Sequence, residues 1–557
     1  MIMYTKNKRL LFILMGLAVL SFSCRDLEEM NINPNGVDPS VAHPNLLLST
    51  IVTSTGQTVV SLGFGNLAGV MQHTQKDGWS GSHNGYEWST TQDWASYYSI
   101  LRNVDEMYKK AVDMELEFHQ GVALVIKSYV FGLITDLWGD APYSQALQGE
   151  LGGSENIKPA FDSQGDIYSG ILADLESANT LLSGSQGDYQ DISAIQDVIF
   201  GGDVMNWRQF ANSLALRYYM RLSEKDPSKA RAGIEKIVGS PETYPIILEA
   251  SDDVNMDYIG TSSQDSWPTN TVYGQLEQGS YRRIKMCATL VDTMQSLNDP
   301  RLELWAQKVD VPLVVVASPD DRDEIVNGIR YVGPDAVEEY FTQFGLAPDE
   351  DPEFVGLPPS WSNIPQAYNM NPDNNWGQAP LNPHASHLNE RYMNAAGPQL
   401  KSRILTAAEV NFIIAEAALK GWTSENAQTY YENGVEASLR AWGISSAYGD
   451  YIQNPGVAYE GTLEQVMEQK WIASWSAAAE AWFDYRRTGL PALLPGVVVK
   501  RDALPLRYYY SVDEMDYNPD NAQMAIELLE TTEFSAEDGE NSAWSKTWVL
   551  QGTGKPY

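Results

Sequence analysis

The sequence predicts a mainly helical, all-α protein interrupted by one long irregular insert, and three observations carry that prediction. Apolar residues recur at three- and four-residue spacing through several separate stretches, the pattern of helices that bury one face. Helix-start signals stand in front of those stretches: Asp226-Pro227, Thr406 with Glu409, and Thr462 with Gln465. From about Val311 to Leu400 the periodicity fades into Pro, Asn, Gly and acidic residues, which marks a long loop-rich segment.

Taken in order, the first helices fall at Thr91–Asp113 and His119–Leu137. Trp138-Gly139-Asp140-Ala141-Pro142 closes the second, with Gly139 as its C-cap. Asp162–Ser183 places Ile167, Ile171, Leu172, Leu175, Ala178 and Leu182 on one stripe. Asn206, with Gln209 behind it, is the expected cap of the next helix, whose stripe runs Trp207, Phe210, Ala211, Leu214, Ala215 and Tyr218. Met286–Leu297 reads as a short helix and Val311–Ala317 as a short strand. Helices resume behind Thr406, with Val410, Ile413, Ile414 and Ala417 facing inward. Two more follow, over Glu425–Trp442 and from Thr462 through Trp471 and Trp475. From Pro491 the pattern is irregular again.

The N-terminus is a targeting segment. Lys6, Lys8 and Arg9 precede an apolar run from Leu10 to Leu20, too short for the roughly 20 residues of a membrane span. Ser21-Phe22-Ser23 leads directly into Cys24. A small residue before a cysteine at the end of such a run resembles a bacterial lipobox, although Leu20 stands one place further from the cysteine than usual. Cys24 is therefore the expected lipid-attachment residue. Residues 25–45 are polar and Pro/Asn-rich and read as an extended tether. The chain has two cysteines, so with Cys24 acylated Cys287 has no partner, and the fold must rest on its core rather than on disulfides. The 557 residues, 43% hydrophobic, supply that core. A net charge of −36 argues against nucleic acid, whose affinity is built on Lys and Arg neutralising phosphates.

Several motifs lie in a fixed order along the chain. Gly139-Asp-Ala-Pro-Tyr143 is followed by Pro159-Ala-Phe-Asp162, Gly202-Asp203, Trp207, and Ala211-Asn-Ser-Leu-Ala-Leu-Arg217. Asn298-Asp-Pro-Arg301 and Gly356-Leu-Pro358 come next. The C-terminal half adds Glu409, Ala415-Glu416-Ala417, Gly421-Trp422, Lys470-Trp471 and Glu480-Ala-Trp-Phe-Asp-Tyr-Arg-Arg-Thr-Gly489. The physical reading of these motifs is structural: Asp484 and Arg487, three apart, form an ion pair on one helix face, and Asn212 and Arg217 serve as partners for helix ends. In their order and spacing the motifs resemble the SusD/RagB family of outer-membrane nutrient-binding lipoproteins. The resemblance implies a scaffold of tetratricopeptide-like helix pairs with a loop-rich ligand-binding region. It implies surface exposure on the outer membrane through the lipid anchor, and a SusC-like TonB-dependent β-barrel importer as partner. It also implies nutrient uptake in polysaccharide utilisation, with an oligosaccharide as ligand. A peptide-capturing member of the same family, a surface glycosidase and a mainly structural assembly factor are the alternatives.

On that basis the chain divides into a signal peptide (1–23), a lipidated tether (24–45) and a SusD-like domain (46–557). The domain comprises an N-terminal helical part (46–310), the irregular insert (311–400), C-terminal helices (401–490) and an irregular C-terminal part (491–557). A sugar ring packs its C–H face on Trp or Tyr and needs amide, carboxylate or Arg partners for its hydroxyls. Three loop clusters offer such groups: Trp79, Asn84, Tyr86 and Trp88; Trp267, Tyr273 and Arg282; and Trp361 with Trp376. No catalytic residue, cofactor or metal is assigned. His384-x-x-His387-x-x-Glu390 has some ligand character, and Asp253-Val-Asn255-Met-Asp257 imitates a calcium loop but lacks its glycine and closing glutamate. No nucleophile elbow, phosphate-binding loop, HExxH or GxGxxG fingerprint is present.

Overall fold

The computed structural model describes residues 43–77, 81–274, 278–360, 365–371, 382–497 and 499–557. Cys24, Trp79, Trp361 and Trp376 lie outside them. The longer helices are α1 (Pro44–Gly63), α2 (Ala95–Asp113), α3 (Glu117–Trp138), α4 (Gln164–Leu181), α5 (Val204–Arg221) and α6 (Pro227–Val238). They continue with α7 (Ala288–Ser296), α8 (Pro334–Phe344), α9 (Ala407–Leu419), α10 (Ala427–Ala441), α11 (Leu463–Ala473), α12 (Ala478–Thr488), α13 (Val512–Tyr517) and α14 (Pro519–Glu527). The strands are short: β1 (Thr74–Lys76), β2 (Val254–Asp257), β3 (Ile284–Met286), β4 (Leu313–Val315), β5 (Asp323–Val326), β6 (Ile329–Val332) and β7 (Lys401–Leu405).

Successive helices pack as pairs. α2 turns back into α3 through Met114-Glu115-Leu116, and α3 packs on α4, α4 on α5, α5 on α6, and α9 on both α10 and α11. These are the expected tetratricopeptide-like pairs. The caps mostly follow the sequence. Asp226 accepts from Lys229 N–H with Pro227 in the first turn, Thr406 accepts from Glu409 N–H, Thr462 accepts from Gln465 N–H, and Gly139 closes α3 at φ 103°. One cap differs: Asp203, not Asn206, caps α5, because its carboxylate accepts the N–H of Asn206 and moves the start back by three residues. Helix α3 is apolar and long enough to cross a membrane, yet nearly all of its length is buried by its neighbours.

Two regions expected to be irregular contain more structure than the periodicity showed: the C-terminal part from Pro491 holds α13 and α14, and the insert holds a sheet and a helix. In the insert, β4, β6 and β5 form a three-stranded sheet, with β4 parallel and β5 antiparallel to β6, and α8 follows. The β5–β6 hairpin turns on Asn327-Gly328, both at positive φ (54° and 81°), the conformation that Asn-Gly supplies at low cost. α1 was also not marked by sequence: its Ser and Thr residues blur an otherwise apolar face, and Thr55 and Thr58 return their hydroxyls to carbonyls one turn back.

The scaffold is held by a large apolar and aromatic core and by charges buried within it. Trp305 stacks on Trp475 at 5.1 Å. Arg487 binds Glu416 (2.6 and 2.8 Å) and Asp484 (2.9 Å), and Lys470 also reaches Asp484 (2.7 Å). Arg217 joins Glu409 to Glu480, and Arg221 joins Glu480 to Asp136. These bridges tie α3, α5, α9, α11 and α12 together across sequence separations that no local signal could specify.

Candidate ligand-binding corner

Beside the helical scaffold a small ribbon gathers the segments that flank the predicted loops. β1 pairs antiparallel with β3, Thr74 opposite Met286 and Lys76 opposite Ile284. The N–H of Asp77 donates to Arg283 O and lengthens the ribbon by one residue. Residues 386–388 run along the other edge of β3, where Met286 N–H donates to Ser386 O and Leu388 N–H to Ile284 O. The ribbon is anchored to the scaffold at His73, whose carbonyl accepts from Cys287 N–H and whose ring lies against Trp471 and Trp475.

A buried lysine and a buried aspartate lie at its centre, without a direct salt bridge between them. Lys285 is 1% exposed, and its ammonium donates to the carbonyls of Asn382 (2.8 Å) and Ala385 (3.1 Å). Asp77 is fully buried, and neither carboxylate oxygen has a hydrogen-bond partner among the described residues. Burial pushes the Asp77 carboxyl up to about 6, against the pull of Lys285, the Asn382 backbone N–H, which is too poorly placed to count as a hydrogen bond, and Arg283. Burial likewise pushes the Lys285 ammonium down to about 8, against the pull of Asp77. The sequence reading missed both residues. Their one visible signal was a charged pair, Lys76-Asp77, placed just before a Gly-Trp loop.

The rim is more open. Tyr273 is 41% exposed; its N–H donates to Asn270 Oδ1 (2.9 Å) and its hydroxyl to Gly260 O (3.2 Å), so the ring is fixed in position. Arg282 pairs with Asp310, both partly exposed. The 382–395 segment holds these rim elements: Thr271 N–H donates to Met393 O, Trp267 N–H to Ala395 O, and the Tyr281 hydroxyl to Leu388 O (3.0 Å).

Four predicted ligand contacts prove to be core residues. Asn84 spends its whole amide on the backbone of Lys76, accepting from N–H (2.8 Å) and donating to C=O (2.7 Å). Tyr86 is fully buried. Trp88 donates to Ser82 O and meets Trp482 and Tyr508 edge to face. Trp267 is fully buried against Phe64 and Tyr258, with its N–H on Thr269 Oγ1 (2.8 Å). The apolar surface of these rings outweighs the polarity of the loops around them, so a Gly- and Asn-rich neighbourhood did not signal exposure. Of the predicted contacts that are described, Tyr273 and Arg282 stay accessible.

The metal-like motifs resolve into hydrogen bonding. His384 Nδ1 faces Val311 O (2.6 Å), His387 Nδ1 faces Leu388 O (2.7 Å), and Asp253 accepts from Ala407 N–H (2.7 Å) at the start of α9. Among the described residues no group of His, Cys, Asp and Glu is arranged to hold a metal ion.

The chain folds as a mainly helical scaffold with a partly exposed polar and aromatic rim beside the β1–β3 ribbon. Its family follows from comparison: residues 37–316 and 366–511 match the SusD-like model described as starch-binding associating with outer membrane, and the chain belongs to that family. The solved structures agree on the fold. A SusD homolog of Bacteroides fragilis superposes with a TM-score of 0.69 at 22% identity, covering 92% of this chain and 100% of the other. A second B. fragilis SusD homolog gives 0.67 at 22%, covering 91% and 99%. A chitin-binding SusD homolog from Flavobacterium johnsoniae gives 0.63 at 20%, covering 91% and 97%. No curated protein matches the chain.

Proposed function

We propose that this chain is a non-catalytic, surface-exposed lipoprotein that captures an oligosaccharide at the β1–β3 corner and passes it to a SusC-like TonB-dependent importer. Membership of a family described as starch-binding and outer-membrane-associated supports the ligand class and the location. The observation that carries the choice of site is the fixed, exposed ring of Tyr273 on the same held rim as the Arg282–Asp310 pair. A sugar needs an apolar face to stack on and charged or amide groups for its hydroxyls, and this rim supplies both. Trp79, Trp361 and Trp376 remain proposed contacts, since each stands within a few residues of Asp77, Ser360 or Asn371. Residues 1–23 act in this reading as the signal peptide, and Cys24 as the acylated first residue of a tether to the domain.

The test titrates the protein with oligosaccharides and with peptides, measuring heat of binding and release of reducing ends. Saturable glycan binding without new reducing ends, weakened by Tyr273→Ala and Arg282→Ala, is the expected result. Turnover of the glycan, or binding of peptides alone, would replace the proposal. Intact mass of the mature N-terminus reports separately on Cys24, where acylation is expected.

A further inference from the structure

A second cleft lies where the end of α3 meets the C-terminal segment, and it shares no residue with the corner. Its free volume is about 300 Å³, and Asp140, Ser163, Leu529, Thr547, Trp548 and Gln551 are among its lining residues. That volume is at the lower end of the roughly 300–1,000 Å³ typical of small-molecule sites.

The groups around it are complementary and uncommitted. One Asp140 oxygen accepts from Gln164 N–H (2.8 Å), and among the described residues nothing bonds the other. Burial raises the Asp140 carboxyl, which is the cost of holding an acceptor in a half-closed site. Trp548 is half-buried, and its indole N–H donates to no acceptor among the described residues, whereas Trp88, Trp138, Trp207, Trp482 and Trp544 all donate to named ones. Gln551 donates from Nε2 to Leu528 O (2.7 Å) and Lys546 O (3.2 Å), which joins the two lips and leaves its side-chain oxygen unbonded among the described residues. The Trp548 N–H, the second Asp140 oxygen and the Gln551 side-chain oxygen thus give the cleft one donor and two acceptors that no described residue engages. Leu528 and Leu529 supply apolar surface. The groups suit a ligand with both hydroxyls and C–H surface; no lining residue is cationic, and the nearby Lys225 ammonium is committed to the Trp548 ring (5.1 Å) and to Gln551 O (2.9 Å).

We propose that this cleft is a second binding site, for a single uncharged pyranose unit, with the Trp548 N–H as donor and Asp140 and Gln551 as acceptors. The proposal stands on the cleft itself and does not depend on the corner. Saturation-transfer NMR on the full chain in a non-glycosidic detergent, with glucose and separately N-acetylglucosamine, tests it. Transfer to at least one sugar is expected, falling about five-fold in both Trp548→Phe and Asp140→Asn and persisting in the Tyr273→Ala/Arg282→Ala double variant. No transfer to either sugar overturns the proposal. So does transfer that both cleft variants leave undiminished, or that the double variant abolishes. A crystal soaked in the same sugars guards against a variant that folds poorly. Density for the ring between Trp548 and Asp140 supports the site, and an empty cleft at saturating sugar overturns it.

Discussion

Two groups of buried charges in this molecule are built from the same residue types and behave in opposite ways. In the scaffold, Asp484 lies between Lys470 and Arg487, and although burial alone would raise its carboxyl, the two cations hold it far below the ordinary range. In the corner, Asp77 and Lys285 are equally buried, yet each is driven toward its neutral form. The difference lies in geometry. Arg487 makes paired contacts of 2.6–2.9 Å to two carboxylates, whereas Lys285 spends its protons on backbone carbonyls and leaves Asp77 with no well-aligned hydrogen bond among the described residues. Buried charges that are fully matched lock helices together. Buried charges that are poorly matched carry a standing cost, and such costs concentrate where a protein binds.

The largest effect should come from breaking the matched set. Arg487→Met would leave Glu416 and Asp484 short of their shared cation, and about 3–5 kcal/mol of stability should be lost. Chemical denaturation measures it directly. A loss below about 1 kcal/mol would show that the scaffold network is no better matched than the corner.

The next effect separates core aromatics from ligand aromatics. Trp267→Ala should cost about 3–5 kcal/mol, because a fully buried ring packed on Phe64 and Tyr258 leaves a cavity. Ligand affinity should then change only as far as folding does. A well-folded Trp267→Ala protein with selectively lost glycan binding would return this residue to the site.

These outcomes bear on what was legible in the sequence. Most of the scaffold helices were, α1 apart, because apolar stripes such as Ile167–Leu182 and caps such as Asp226-Pro227 are local signals. The i,i+3 pair of Asp484 and Arg487 was also legible, since one helix turn brings the two together. Its partner Glu416 was not, because 71 residues separate it from Arg487. The same limit explains the site. Trp88 and Trp267 stand in polar loops, and only the tertiary fold reveals that Tyr508 and Phe64 cover them. Asp77 and Lys285 carry no motif, since only a strand pairing more than 200 positions apart in sequence brings their segments together.

The unmatched pair makes a smaller, pH-dependent prediction. A carboxyl whose folded pKa is raised from its unfolded value near 4 to about 6 favours folding while protonated. That contribution is fully present below the unfolded value and is lost as pH rises through about 6. Asp77→Asn removes this dependence, so its stability relative to the natural protein should climb between pH 4 and pH 6, by about 1–3 kcal/mol. Denaturation midpoints across that range measure the climb. A flat difference would mean that Asp77 is as well matched as Asp484.

The smallest effect on stability, and the sharpest on binding, is expected at the rim. Tyr273 is 41% exposed and its ring covers little of the core, so Tyr273→Phe and Tyr273→Ala should each change stability by no more than about 0.5 kcal/mol. The two substitutions then divide the roles of the side chain. Phe keeps the stacking face and loses the hydrogen bond to Gly260 O, whereas Ala loses both. If the face binds the sugar, calorimetry should find affinity nearly kept in Phe and reduced by about 1–2 kcal/mol in Ala, the scale of an aromatic contact together with its area. Equal losses in both would assign the role to the hydroxyl and to loop position. No loss in either would move the ligand away from Tyr273 and leave the corner's mismatched charges without a binding purpose.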